Sequence, residues 1–193
     1  RLGSGKARLK VQSKQEETDE KLGDVTHKGA LERIAQLLGE PRFGSVGRDF
    51  ELDAVGHRVV HGGERFTATT IVDAAVKEQI RELSHLAPLH NPHNLEGILL
   101  AEALFPGAAQ VAVFDTAFHR TMPLKARKYA IPNMLYEKHG IQVYGFHGTS
   151  YRYVVQRVNQ ILADQARARR LMVFHLGNGC SCAAIRDGRC ETT

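Results

Sequence analysis

Five short segments of this chain share one design: an apolar run stops at a His, Arg, Asp or Asn flanked by Gly or Pro. They are "GHRVVHGG" (Gly56–Gly63), "LAPLHNPHN" (Leu86–Asn94), "VAVFDTAFH" (Val111–His119), "YGFHGTS" (Tyr144–Ser150) and "FHLGNG" (Phe174–Gly179). A run that halts this way reads as a strand, or a strand-like segment, that delivers a polar side chain to the end of a sheet. Open α/β sheets bind their ligands at such ends. One such end is noise, whereas five argue for a shared cleft.

The segments between them have helical spacing. "THKGALERIAQLLGE" has Thr26 as its cap, an apolar stripe of Ala30, Leu31, Ile34, Leu37 and Leu38, and Gly39 at its end. "DAAVKEQIRELSHLA" reads as a second helix. A third is expected from about Asn94 to Phe105, after a proline-broken loop, and "SYRYVVQRVNQILADQARARR" as a long fourth with Val154, Val155, Val158, Ile161 and Leu162 inside. "ARLKVQ" alternates as a strand does, while "SKQEETDEKLGD" reads as solvated turn. "LDAVGHRVVHGGERF" is expected to be a buried strand, and "RLMVFHLGNGCSCAAIRDGRCETT" a strand, a glycine turn and a second strand that turns at Asp187-Gly188. Strands alternating with helices make the class α/β. The boundary between two domains is placed near Asp115 to Phe118, where "VAVF" ends.

Composition closes off several functions. No apolar run approaches the roughly 18 to 20 residues of a membrane span, and the first residues hold no apolar leader core, so no membrane partner is expected. The net charge of +5, from 26 basic and 21 acidic residues, accompanies no nucleic-acid motif; it suits small anionic substrates instead. Three cysteines (Cys180, Cys182, Cys190) fit a reducing cytoplasm and are expected to be buried and inert. Ten histidines invite a metal reading. However, His57 and His61 would lie roughly 13 Å apart on a strand, and His90 and His93 flank a proline. "HLGNG" (His175–Gly179) lets the backbone approach an anion, yet on its own it equally describes a hairpin turn.

Taken together and in this order, "HRVVHGGERF", "LAPLHNPHN", "VAVFDTAFHRTMP", "YGFHGTS" and "HLGNGCS" resemble the acetate/propionate/butyrate kinase family. That family lies within the sugar kinase, Hsp70 and actin superfamily, with its ribonuclease H-like fold. The resemblance covers the whole chain and corresponds to the N-terminal half of family members. It implies a partial fold: residues 1–116 an acyl-kinase domain lacking its first strand pair, and 117–193 the start of a second, nucleotide-binding domain. It implies ATP as co-substrate, Mg²⁺ or Mn²⁺ as cofactor, reversible in-line transfer to acetate giving acetyl phosphate and ADP, a cytoplasmic location and, for complete members, a homodimer.

Residue by residue, the resemblance makes Arg58, His90, Asp115 and His147 catalytic. Arg58 would hold the carboxylate and the moving group. Val60, Leu89 and Phe146 would line the acyl pocket, and His175, Leu176, Gly177, Asn178 and Gly179 would hold ATP phosphates. No metal ligand is assigned beyond a contact of Asp115 through water. A substrate carboxyl group with a pKa near 4.3 is ionised at pH 7 and needs no general base, so Asp115 is read as an orienter of Arg58 or of metal-bound water. The family's opening "N-A-G-S-S-S" turn, a second arginine, the adenosine-binding segments and a late glutamate have no counterpart in the chain. The 193 residues alone are therefore expected not to turn over. A non-catalytic binding or dimerisation module and a propionate kinase are the other readings. The family carries His where this chain has Tyr151. That histidine either supports the site, in which case Tyr151 weakens activity, or only packs under the helix that Thr149 or Ser150 is expected to cap.

Overall fold

The structure is a computed structural model and describes residues 5–12, 16–40, 52–162 and 169–193. The chain divides into two compact units, residues 1–57 with 95–110, and residues 58–94 with 111–193.

In the first unit, β1 (Ala7–Gln12) and β2 (Glu17–Gly23) form an antiparallel hairpin. The sequence reading assigned residues 17–23 to solvated turn. They form a strand because their charges pair across the hairpin: Arg8 meets Asp19 at 2.5 Å and Lys10 meets Glu17 at 2.6 Å. Opposite charges on facing strands supply the pairing that apolar residues supply elsewhere. Helix α1 (His27–Leu38) follows as expected, with the Thr26 hydroxyl accepting from Gly29 N and with Ala30 and Leu37 buried.

Strand β3 (Ala54–Val59) carries the chain into the second unit. It was expected to be buried, but it alternates, and only Val59 is fully enclosed. Among the described residues it lies at the edge of a sheet in the order β3-β5-β4, with β4 (Thr70–Ile71) and β5 (Ala109–Phe114). Helix α2 (Ala74–Glu82) is capped by Asp73, whose carboxylate accepts from Val76 N at 2.8 Å. Helix α3 (Asn91–Leu104) starts three residues before the expected Asn94. Pro92 does not break it, because a proline in the first turn lacks only an N–H that has no helical partner there.

The second unit also holds 3-10 turns at Leu83–His85 and Ala117–Thr121, α4 (Leu124–Arg127), α5 (Asn133–His139), α6 (Gly148–Ile161) and a three-stranded antiparallel sheet of β6 (Arg170–Leu176), β7 (Cys180–Arg186) and β8 (Arg189–Thr192). Tyr151 and Val155 of α6 pack with Phe118, Met122, Val173, Ala183, Ile185 and Cys190 into one core. Ile161 was expected inside but is 71% exposed. The expected helical stretch 163–168 lies outside the described residues, and Arg170 belongs to β6 rather than to a helix end. The expected hairpin forms, with Leu176 opposite Cys180, and β7 turns into β8 at Asp187 and Gly188, both at positive φ. The inner face of β7 carries Ser181, Ala183 and Ile185. Cys180 and Cys182 therefore point the other way and are exposed, contrary to expectation, while Cys190 is buried. Burial pushes the Cys190 thiol up to about 12. Among the described residues, no helix is long and apolar enough to cross a membrane.

Candidate active site

Strand β5 ends at Asp115, which is only 1% exposed. Arg58 reaches it as a two-pronged fork: Nε donates to Oδ1 at 3.0 Å and Nη2 to Oδ2 at 2.6 Å. The hydrogen bond to Asp115 is the main reason the Arg58 pKa is raised, so the guanidinium stays charged. Its outward edge is open, with the side chain 58% exposed. The fork therefore fixes the inner edge of the guanidinium and leaves Nη1 for an incoming oxygen.

Asp115 also organises the start of α6. Its Oδ2 accepts from His147 N at 3.3 Å, and its backbone oxygen accepts from Gly148 N at 3.0 Å. Thr149 and Ser150, expected as caps, already lie within the helix. A carboxylate at a helix N-terminus is favourable electrostatically. His147 stands at that end in the left-handed region, φ 58°, a conformation costly for most side chains. Gly145, at φ 75°, precedes it, and a Cβ there would sit 2.4 Å from the His119 ring. The segment leading into α6 is irregular, not the strand the sequence reading anticipated.

The His147 ring is held on two sides. It stacks on His175 with centroids 4.1 Å apart, and its Nδ1 lies 2.8 Å from Ser181 Oγ. His175 Nδ1 in turn lies 3.0 Å from Ser150 Oγ. Burial, then repulsion from His175, hold the His147 pKa below its usual value; Asp115 acts the other way and Arg58 adds repulsion. A Cβ on Gly179 would lie 3.1 Å from His147 Nε2. Gly179 is thus what lets the ring approach the Gly177–Gly179 hairpin tip. Phe146 and His147 open onto a cavity of about 530 Å³, lined also by His61, Tyr144, Cys180 and Ser181.

The acetokinase family profile matches residues 1–193. The chain belongs to the acetokinase family. It is 47% identical over 189 residues to the acetate kinase of Flavobacterium johnsoniae, covering 98% of this chain and 47% of that one. It is 48% identical over 175 residues to the acetate kinase of Methanosarcina thermophila, covering 90% of this chain and 43% of that one. Among solved structures, a Porphyromonas gingivalis acetate kinase superposes with a TM-score of 0.86 at 41% identity, covering 99% of this chain and 48% of that one. A propionate kinase from Francisella tularensis superposes with a TM-score of 0.88 at 39% identity, again covering 99% and 48%. The fold is thus the expected actin-like α/β fold of the acetokinases, and the chain spans about half the length of the relatives it matches.

In this acetokinase chain the structure joins Arg58, Asp115, His147 and His175 through direct contacts. Phe146 is 39% exposed at the cavity mouth. Val60 is half-buried, its backbone N–H donating to Asn94 Oδ1 at 3.1 Å. Leu176, Gly177, Asn178 and Gly179 form the hairpin tip, with Gly177 N donating to Gly179 O at 3.2 Å. His90 and Leu89 are exposed, Leu89 by 80%, and take no part in the hydrogen bonds and ring stack that join the other four. Sequence reasoning read Ser150 only as a helix cap, gave His119 no role of its own beyond its place beside a turn, and passed over Ser181. His119 is fully buried and pins the loop before His147, its Nε2–H donating to Phe146 O at 2.8 Å. The alternation of β7 sets Ser181 on the face opposite Cys180 and Cys182, and only the packing makes that face the inner one. Tyr151 does more than pack under the helix. Its ring packs in the core, and its hydroxyl lies 2.5 Å from Ser181 Oγ.

The loop after β3 is braced independently. Asn91, fully buried, accepts from His61 N at 3.0 Å and donates to His61 O at 2.9 Å. His61 Nδ1 accepts from Gly63 N at 3.0 Å, which requires that nitrogen to be unprotonated. Burial chiefly, and His85, push the His61 pKa from 6.5 down to about 4. Between these two values the unfolded chain takes up a proton that the folded chain refuses. Stability is therefore complete above pH 6.5 and falls as the pH drops, by roughly 3 kcal/mol at pH 4. His119 and His147 shift in the same direction. Urea midpoints between pH 7.5 and 4.5 should show this acid limb, and His61→Gln should make it shallower. A limb of unchanged steepness in the variant would assign it to other groups.

Proposed function

We propose that this chain carries the acyl-accepting and phosphoryl-transferring side of a kinase that moves the γ-phosphoryl group of ATP to acetate, reversibly and in line. The Arg58–Asp115 fork beside His147 carries the reading. A transferring phosphoryl group spreads negative charge over three oxygens and needs positioned donors more than covalent help. Arg58 presents its open edge to that charge and to the acetate carboxylate. Asp115 holds Arg58 in place and takes no proton. His147 donates to a phosphoryl oxygen, and the Gly177–Gly179 tip, with His175 behind it, receives the nucleotide phosphates. Residues 1–116 serve as the acyl-kinase domain and 117–193 as the opening of the nucleotide-binding domain. Cytoplasmic location, homodimerisation through further segments, and the lack of nucleic-acid or membrane partners belong to the same proposal.

A divalent cation, Mg²⁺ or Mn²⁺, is expected to accompany ATP in this family, but the described residues offer it no donor set. No three His, Cys, Asp or Glu side chains gather to hold a metal among them. Both oxygens of buried Asp115 are engaged by Arg58, and one of them also by His147 N.

The test is acetyl phosphate formation, trapped as the hydroxamate, by two proteins. One is the 193-residue chain; the other joins it to the segments of the Flavobacterium johnsoniae acetate kinase that lie outside the match. The hybrid is expected to be active and the chain alone silent. A folded, nucleotide-binding hybrid that makes no acetyl phosphate would count against the function. Turnover by the chain alone would remove the claim that it is half of a site.

Propionate is the second acceptor to consider, because the propionate kinase and acetate kinase folds match almost equally well. Val60, beside Arg58, is the residue expected to limit acyl length. In the hybrid, Val60→Ala should raise kcat/KM for propionate relative to acetate by about ten-fold or more, ten-fold being the lower end of what one methylene is worth. An unchanged ratio would take Val60 out of the pocket.

A further inference from the structure

Tyr151 sits one turn into α6 with no exposed surface. Its ring meets His119 edge-on at 5.5 Å and Phe118 at 6.1 Å between centroids. Its hydroxyl is 2.5 Å from Ser181 Oγ, and that oxygen is 2.8 Å from His147 Nδ1. A continuous line of hydrogen bonds thus runs from the core to the imidazole that faces the hairpin tip. We propose that Tyr151 is a positioning residue that, through Ser181, fixes His147 as its Nε2–H tautomer and so aims a neutral N–H donor at the phosphoryl group.

Proton order decides the tautomer. A phenol is the stronger donor and the poorer acceptor of the two hydroxyls, so the proposed order has Tyr151 donate to Ser181 Oγ at 2.5 Å in preference to the Thr193 side chain, which also neighbours the phenol. Ser181 has one proton, which it then gives to His147 Nδ1. A ring nitrogen that accepts leaves the imidazole proton on the other nitrogen. Burial raises the Tyr151 pKa, which keeps the phenol protonated. Burial and the stacked His175 ring disfavour a second proton on His147, with Arg58 on the same side of the balance and Asp115 opposing. Nε2 is the nitrogen nearest Gly179, so the remaining proton faces the Gly177–Gly179 tip. Histidine tautomers are set by what the second nitrogen binds. In this chain that partner is a serine whose own rotor is fixed from the core.

The inference deepens the acyl-kinase reading and rests on it for its catalytic consequence, but its first test needs no substrate. Nitrogen-15 imidazole spectra of the 193-residue protein at pH 7.5 should show His147 with Nδ1 unprotonated and Nε2 protonated. Tyr151→Phe keeps the ring and removes the donor; it should give a mixture of the two tautomers, and Ser181→Ala should do the same. In the hybrid kinase each variant should lower kcat about ten-fold, as loss of a supporting hydrogen bond commonly does, with the KM for acetate unchanged. The double variant should be no worse than either single one. A protonated Nδ1 in the parent, or a tautomer that survives both substitutions, overturns the proposal. If Tyr151→Phe does not fold, the parent spectrum and Ser181→Ala decide. A fixed Nε2–H tautomer in a hybrid that makes no acetyl phosphate would sink the kinase reading and leave the Tyr151–Ser181–His147 line standing.

Discussion

Arg58→Ala is expected to cost the hybrid kinase about 1,000-fold or more in acetyl phosphate formation, the range seen when an arginine is taken from a phosphoryl-transfer site. The same change should destabilise the folded chain by about 1–3 kcal/mol, the value of hydrogen bonds to a charged group. The stability figure is kept modest because Arg58 is 58% exposed, so solvent already screens part of the pair. What remains after the substitution is a buried carboxylate that still accepts from the His147 backbone N–H. Arg58→Lys separates the two effects. Lysine keeps a charge near Asp115 but cannot hold both carboxylate oxygens and still present an outward edge. It should recover much of the stability and little of the rate. Single-turnover rates and urea midpoints measure the two quantities. A variant with alanine at position 58 that retains a tenth of the parent rate would remove Arg58 from the transfer step.

Gly148→Ala is expected to have the largest effect on folding. A Cβ at this position would lie 2.2 Å from the Asp115 backbone oxygen and 2.8 Å from Phe118 Cβ, and neither atom is the end of a flexible chain. Either α6 swings outward and loses the Gly148 N–H bond to Asp115 O, or the Asp115 peptide shifts. Both movements disturb the carboxylate that holds Arg58 and the turn that carries His147. A loss of about 3 kcal/mol or more follows, or a Tm lower by about 6–12 °C for a chain of this size. Gly97 is the control. It lies inside α3, and a Cβ there meets nothing within 4 Å. Gly97→Ala should stabilise by about 0.5–1 kcal/mol through helix propensity alone. Thermal unfolding of the two variants side by side tests the contrast. If the Gly148 variant melts with the parent, α6 does not start against Asp115 as described.

Legibility differed from element to element for physical reasons. Helix α1 could be read because its cap and its apolar spacing are local properties. The end of β5 at Asp115 could be read because an apolar run meeting an aspartate has few other outcomes. Strand β2 could not, because its reason to extend is the set of opposite charges on β1, seven and eleven residues back along the chain. The start of α3 was placed too late because Pro92 was read as a breaker, and only its position in the first turn makes it harmless. Cys180 and Cys182 were put inside because alternation reveals two faces but not which of them meets the core.

Residue types and their order were enough to bring Arg58, Asp115, His147 and the glycine turn forward as one cleft and to place the chain among the acetokinases. Such information is carried by short motifs, each of which states its chemistry locally. The tertiary structure alone decided how those groups act on one another. It made Asp115 both the partner of Arg58 and the anchor of α6, left His90 and Leu89 at the surface, and set Tyr151 behind Ser181 and His147. Those relations join residues 30 to 57 positions apart. No local pattern encodes them, because a hydrogen bond between distant side chains exists only once the packing has placed both ends.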